Sequence, residues 1–133
     1  MAYVPYDKRK GMVGFTVIAY EKENGTVPVE EFLDSVNPKM RAKMYGLLKI
    51  LQEKGNEIRE PYSKHLESGI FELRCKFGGD IIRVLYFFYY DGKIVLTNGF
   101  MKKTQKTPKY EIQLAKDRRE DFIERMRKNE NIG

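Results

Sequence analysis

Ile70-Phe71-Glu72-Leu73-Arg74-Cys75-Lys76-Phe77-Gly78-Gly79-Asp80-Ile81-Ile82-Arg83-Val84-Leu85-Tyr86-Phe87-Phe88-Tyr89-Tyr90-Asp91-Gly92-Lys93-Ile94-Val95-Leu96-Thr97-Asn98-Gly99-Phe100-Met101 is the stretch whose reading decides the fold. Ile70 to Phe77, Asp80 to Tyr90 and Lys93 to Met101 are rich in β-branched and aromatic residues, which suit a pleated, half-buried surface. The separators Gly78-Gly79 and Asp91-Gly92 are two-residue hairpin signals, because such turns need residues that tolerate unusual backbone angles. The three runs therefore predict an antiparallel meander.

Upstream, Asn56 to Gly69 is polar and punctuated and reads as a connection. Before it, Met40, Met44, Leu47, Leu48 and Leu51 share one helical face, with Asn37 as cap, Pro38 at the first position and Gly55 at the end. Val29 to Val36 carries Phe32, Leu33 and Val36 at helical spacing behind acidic Glu30 and Glu31, and predicts a shorter helix. Val13, Phe15, Val17 and Ile18 within Met12–Tyr20 read as a first strand, closed by Glu23-Asn24-Gly25. Downstream, Pro108 opens a last helix with a broken apolar stripe of Tyr110, Leu114, Ala115, Phe122 and Met126. Residues 1–12 read as a loosely held arm, 13–128 as one domain and 129–133 as a tail.

At 133 residues one core is expected, and the single Cys75 cannot close an internal disulfide, so a reducing cytoplasm is the default compartment. No apolar run approaches the ~20 residues of a membrane span, so no membrane partner is expected. The net charge of +6 favours an anionic partner. His65 is the only histidine, and no spacing of Cys or His suggests a metal; no nucleotide- or cofactor-binding motif occurs. The aromatic run Tyr86-Phe87-Phe88-Tyr89-Tyr90 can stack bases, although alternating aromatics in a sheet more commonly form core.

Two cations sit in the strands. With Gly78-Gly79 as a two-residue turn, Phe77 faces Asp80, and counting back sets Arg74 opposite Arg83. Like charges across a sheet repel, so the pair requires either an acidic neighbour such as Glu72 or an anion from outside. The third strand runs into Lys102, Lys103 and Lys106, which can reach the same face from its edge and complete a phosphate-binding cleft. The plainer reading is a solvated basic surface.

Gly69-Ile70-Phe71-Glu72-Leu73-Arg74, Ile82-Arg83-Val84-Leu85-Tyr86 and Asn98-Gly99-Phe100-Met101-Lys102-Lys103-Thr104-Gln105-Lys106-Thr107-Pro108, with Glu111-Ile112, Ala115 and Arg118 behind them, resemble the phage Gp49-like, HigB-type toxins of the RelE/ParE superfamily. The resemblance implies an α+β domain ordered β-α-α-β-β-β-α, with a four-stranded, mainly antiparallel sheet packed by helices. It implies the toxin of a type II toxin–antitoxin system: a ribosome-dependent messenger-RNA endoribonuclease that needs no metal or cofactor. Its partners would be mRNA, the ribosome and a HigA-type helix-turn-helix antitoxin. Basic residues at the matching positions are Arg74, Arg83, Lys102 and Lys103, the candidate catalytic set; Lys106, Phe100, Glu72 and Lys64 are candidate RNA contacts. A guanidinium suits charge stabilisation, and a lysine among cations suits proton transfer. The alternatives are a non-catalytic, ParE-like inhibitor of gyrase and a plain nucleic-acid-binding module.

Overall fold

The computed structural model describes residues 14–102 and 106–132; the expected arm at 1–12 lies outside them. The elements are β1 (Thr16–Ala19), α1 (Pro28–Ser35), α2 (Pro38–Lys54), a 3-10 turn (Gly55–Glu57), β2 (Ser63–Glu67), β3 (Ile70–Phe77), β4 (Asp80–Tyr89), β5 (Lys93–Lys102) and α3 (Lys109–Ile132). The Asn37 side chain accepts the Lys39 N–H at 2.8 Å and starts α2 as its cap. Helix α3 continues through Ile132, so the expected tail is helical up to that residue.

The sheet has five strands in the order β1-β5-β4-β3-β2, with β1 parallel to β5 and the other pairs antiparallel. This corrects the four-stranded expectation. The added strand, Ser-Lys-His-Leu-Glu, lies at an edge, where among the described residues one side has no strand partner and polar residues are tolerated. Its sequence therefore carries no apolar signature. The available signal was the turn: Ser68 and Gly69 have φ of 50° and 78°, and this two-residue reversal pairs Glu67 with Ile70. At the other hairpin, Tyr89 pairs with Lys93, so Tyr90 joins Asp91-Gly92 in a three-residue loop instead of ending the strand.

The sheet has two covered faces. Leu73, Cys75, Ile82, Val84, Tyr86, Ile94 and Leu96 pack beneath α1 and α2 with Leu33, Met40, Met44, Leu48 and Leu51. On the opposite face Ile70, Leu85, Phe87, Val95 and Phe100 pack with Ala115 and Phe122 of α3. A bulge in β5 sets this division. Leu85 pairs with Asn98 but Tyr86 pairs with Leu96, leaving Thr97 as the extra residue. The alternation is inverted there: Leu96 faces α1 and α2, whereas Asn98 and Phe100 face the side of α3.

Gly99 then points toward α1, where a Cβ would stand 2.5 Å from Phe32 Cδ2. The Asn98-Gly99-Phe100 sequence thus has a packing meaning at each position. Asn98 Nδ2 donates to the Glu111 carbonyl and carboxylate at 3.3 and 3.1 Å, Gly99 admits the Phe32 ring, and Phe100 fills the second core.

Candidate functional site

Arg74 and Arg83 are directly opposed across β3 and β4, the register obtained by counting back from Gly78-Gly79. Glu72 lies between them. Arg83 Nη1 donates to Glu72 Oε1 at 3.0 Å, and Arg74 Nε stands 3.4 Å from the same oxygen. Thr107 Oγ1 donates to the other carboxylate oxygen and itself accepts from Arg83 Nη1 at 3.2 Å. A carboxylate that is 1% exposed is tolerated because charged and hydrogen-bonding partners surround it.

This network ties the segment entering α3 to the sheet. Thr107 precedes Pro108, whose carbonyl accepts the Glu111 and Ile112 N–H groups at the start of α3. The lysine-bearing connection is therefore anchored at its far end by Glu72 and Arg83.

Exposure sorts the candidate residues. Arg83 is 1% exposed, Glu72 1% and Phe100 9%, so all three are buried; Arg83 pairs with Glu72, and Phe100 belongs to the core under α3. Arg74 keeps 26% of its side chain exposed. Lys64 is exposed and pairs with Glu72 across β2 and β3, placing it on the same sheet face. Lys106 is also exposed, one residue before the anchoring Thr107. Lys102 closes β5 opposite Ile81. Its side chain and the whole of Lys103 lie outside the described residues.

Two participants were not singled out from sequence. Lys76 is exposed and, two residues beyond Arg74, shares its face by strand alternation; the Glu72-Arg74-Lys76 periodicity was the signal for it. Thr107 was quoted within the lysine stretch without a role, since nothing local reveals that its hydroxyl reaches Glu72.

The remaining sequence candidates have structural duties. His65 lies on β2, its ring 4.9 Å from that of Phe71, and its Nε2 accepts the Gly69 N–H at 3.2 Å, bracing the hairpin turn. Tyr86 is buried and shares a 2.5 Å hydrogen bond with Ser63, and burial raises its phenol above the ordinary value. Among the described residues no group of three or more His, Cys, Asp or Glu could hold a metal ion, and no helix is long and apolar enough to cross a membrane.

The profile of the phage-derived Gp49-like protein family matches residues 31–120, which takes in both arginines, Glu72, the lysine connection and the first half of α3. The chain belongs to the Gp49-like family. That family lies within the RelE/ParE-like group of toxin–antitoxin proteins. No curated protein matches the chain. For a Gp49-like domain of this length, the matched region begins in α1 and ends in α3, so the first strand lies outside it.

Proposed function

We propose that the chain is the toxin of a type II toxin–antitoxin pair, of HigB type, and that it inhibits translation in the cytoplasm by cutting messenger RNA on the ribosome without a metal or cofactor. A helix-turn-helix antitoxin neutralises it. The observation that carries this reading is the graded cluster on one sheet face: partly exposed Arg74 with exposed Lys64 and Lys76 above a buried Glu72–Arg83 pair that anchors the lysine connection. Exposed cations around a fixed guanidinium suit an RNA phosphate.

In this reading the 2′-oxygen of the target nucleotide forms a bond to phosphorus while the bond from phosphorus to the 5′-oxygen breaks. Arg74 meets the negative charge that grows on the phosphoryl oxygens, since a guanidinium stays protonated. Lys102 and Lys103 exchange the protons, one taking that of the 2′-hydroxyl and one supplying the leaving 5′-oxygen. Lys64 and Lys106 hold neighbouring phosphates. Arg83, Glu72 and Phe100 act from below: the first two hold Arg74 and the connection, and Phe100 supports the sheet end. The ribosome supplies alignment of the 2′-oxygen with the phosphorus, which the lysines alone supply poorly.

Purified protein added to ribosomes translating a defined message tests the reading. Primer extension should reveal breaks confined to translated codons, ending in a 2′,3′-cyclic phosphate, and Arg74→Ala should abolish them. A message that stays intact would rule the enzyme out and leave a protein target such as gyrase as the alternative to examine.

A further inference from the structure

A pocket of about 530 Å³ opens where the connection after α2 meets β2, β3 and β4. Its aromatic wall is Phe71, Tyr86 and Phe88, which belong to the α1 and α2 side of the sheet, the face opposite Glu72 and Arg74. Phe71 and Phe88 are only partly buried, and their rings stand 5.2 Å apart at 83°. They form a corner that presents a ring face beside a ring edge, a shape that accepts a flat ligand.

The lining also holds a buried polar pair. Ser63 and Tyr86 are 6% and 1% exposed, and their hydroxyls share one hydrogen bond of 2.5 Å. Two hydroxyls carry two hydrogens, and a bond between them uses only one. Among the described residues no acceptor takes the other, although a buried polar hydrogen ordinarily has one. At the mouth stand Arg59 and Lys64, both exposed, with Glu60 as the carboxylate of the described lining. Arg59 Nη1 donates to the Asn56 and Ile58 carbonyls at 2.6 and 3.3 Å, which fixes the guanidinium and leaves its other two nitrogens to an incoming group. Lys64 stands on the edge strand opposite Glu72, so it belongs both to this mouth and to the cations of the other face.

From these observations we propose that the pocket receives a nucleobase of a single RNA strand, the base adjoining the phosphate held at Lys64, with the strand turning round the edge strand β2. The base lies in the Phe71–Phe88 corner, a carbonyl on it accepts the second hydrogen of the Ser63–Tyr86 pair, and its own phosphate meets Arg59 and Lys64. Aromatic walls, one uncommitted buried donor and cations at the mouth together match a nucleotide better than an aliphatic anion, which needs neither ring nor donor. That the strand is a message about to be cut rests on the proposed function; the affinity of the pocket for a nucleotide does not.

Uridine 5′-monophosphate, ribose 5-phosphate and hexyl phosphate, titrated into the full chain and followed by amide resonances, test this. The nucleotide should shift Ser63, Phe71 and Phe88 and bind at least about fivefold more tightly than either of the others. Ser63→Ala combined with Tyr86→Phe removes both hydroxyls at once, so neither is left unpaired and the melting temperature should stay near that of wild type. The nucleotide should then bind about fivefold more weakly. Asn56→Trp, a substitution at an exposed position of the lining, should block the pocket and abolish those shifts whether or not the double variant folds. Equal binding of the three phosphates, shifts confined to Lys64 and Arg74, or a nucleotide affinity unmoved by Asn56→Trp would overturn the inference. A wild-type chain that binds the nucleotide here yet leaves messages whole on ribosomes defeats the enzymatic reading and keeps the pocket. One that cuts messages but shows no nucleotide shifts at Phe71 and Phe88 keeps the enzyme and defeats the pocket.

Discussion

Glu72 is a carboxylate 1% exposed to water, and it stays in place because Arg83, Arg74 and Thr107 converge on it. Removing one member of a buried ion pair strands the other, at about 3–5 kcal/mol. Arg83→Ala is therefore expected to lower the urea unfolding free energy by about that amount, and any lost activity comes with lost stability. Arg74→Ala, at a partly exposed position, should change stability by only about 1 kcal/mol or less yet abolish RNA cleavage. Equal destabilisation by the two substitutions would refute this division of labour. Counting across Gly78-Gly79 was enough to oppose Arg74 and Arg83, because a two-residue turn leaves one register. It was not enough to tell which arginine is covered. That depends on Thr107 and on packing beneath α3, contacts separated from β3 by more than thirty residues of chain.

At the scale of elements, β5 shows where periodicity stops being informative. Alternation counted from Ile94 and Leu96 puts Asn98 and Phe100 on their face, but the extra residue Thr97 sends them to the opposite one. Thr97 has a buried reason to stay: its hydroxyl donates to the Leu85 carbonyl at 3.2 Å, and its own carbonyl accepts from Arg118 at 2.9 Å. Neither partner is visible from the local sequence. With Gly99 consequently turned onto Phe32, Gly99→Ala forces a Cβ to within 2.5 Å of the ring, which should cost about 1–3 kcal/mol in urea unfolding. Adding Phe32→Leu should recover part of the loss; a Gly99→Ala protein as stable as wild type would show that the ring yields freely.

Glu111, at the start of α3, supplies a pH test of the same junction. Burial raises its carboxyl above the ordinary value of 4.5, against the hydrogen bond from Asn98 and the attraction of Arg118, which lower it. The folded chain thus binds this proton more readily than the unfolded one. The stability contributed by protonation is fully present below the unfolded value and is lost as pH rises through the folded one. Glu111→Gln removes that titration. Wild-type stability minus that of Glu111→Gln should fall as pH rises through the carboxylate range and then level off. A difference that rises over the same range would refute burial as the dominant influence.

For the whole molecule, the question is whether a net charge of +6 is a generally wet surface or a directed one. The helices and three-stranded meander were legible because core periodicity and hairpin turns mark them, whereas β2 was not, since an edge strand of Ser-Lys-His-Leu-Glu has little apolar surface to bury. That missing strand matters to the charge. Pairing with β3 places Lys64 opposite Glu72, beside Arg74 and Lys76, so the basic face is wider than the arginine pair and lysine connection alone suggest. Each phosphate neutralised on a single strand contributes about 0.7 to the slope of log affinity against log salt. If Lys64 and Lys76 each hold one, Lys64→Ala with Lys76→Ala should reduce that slope by about 1.4 for an oligoribonucleotide titrated between about 50 and 200 mM salt. The melting temperature should stay near wild type, because both side chains are exposed. Two lysines replaced instead on the outer surface of α2, Lys39 and Lys49, lower the net charge equally but lie on another element. If both double variants reduce the slope alike, the effect belongs to overall charge; if only the first does, the sheet face carries the RNA.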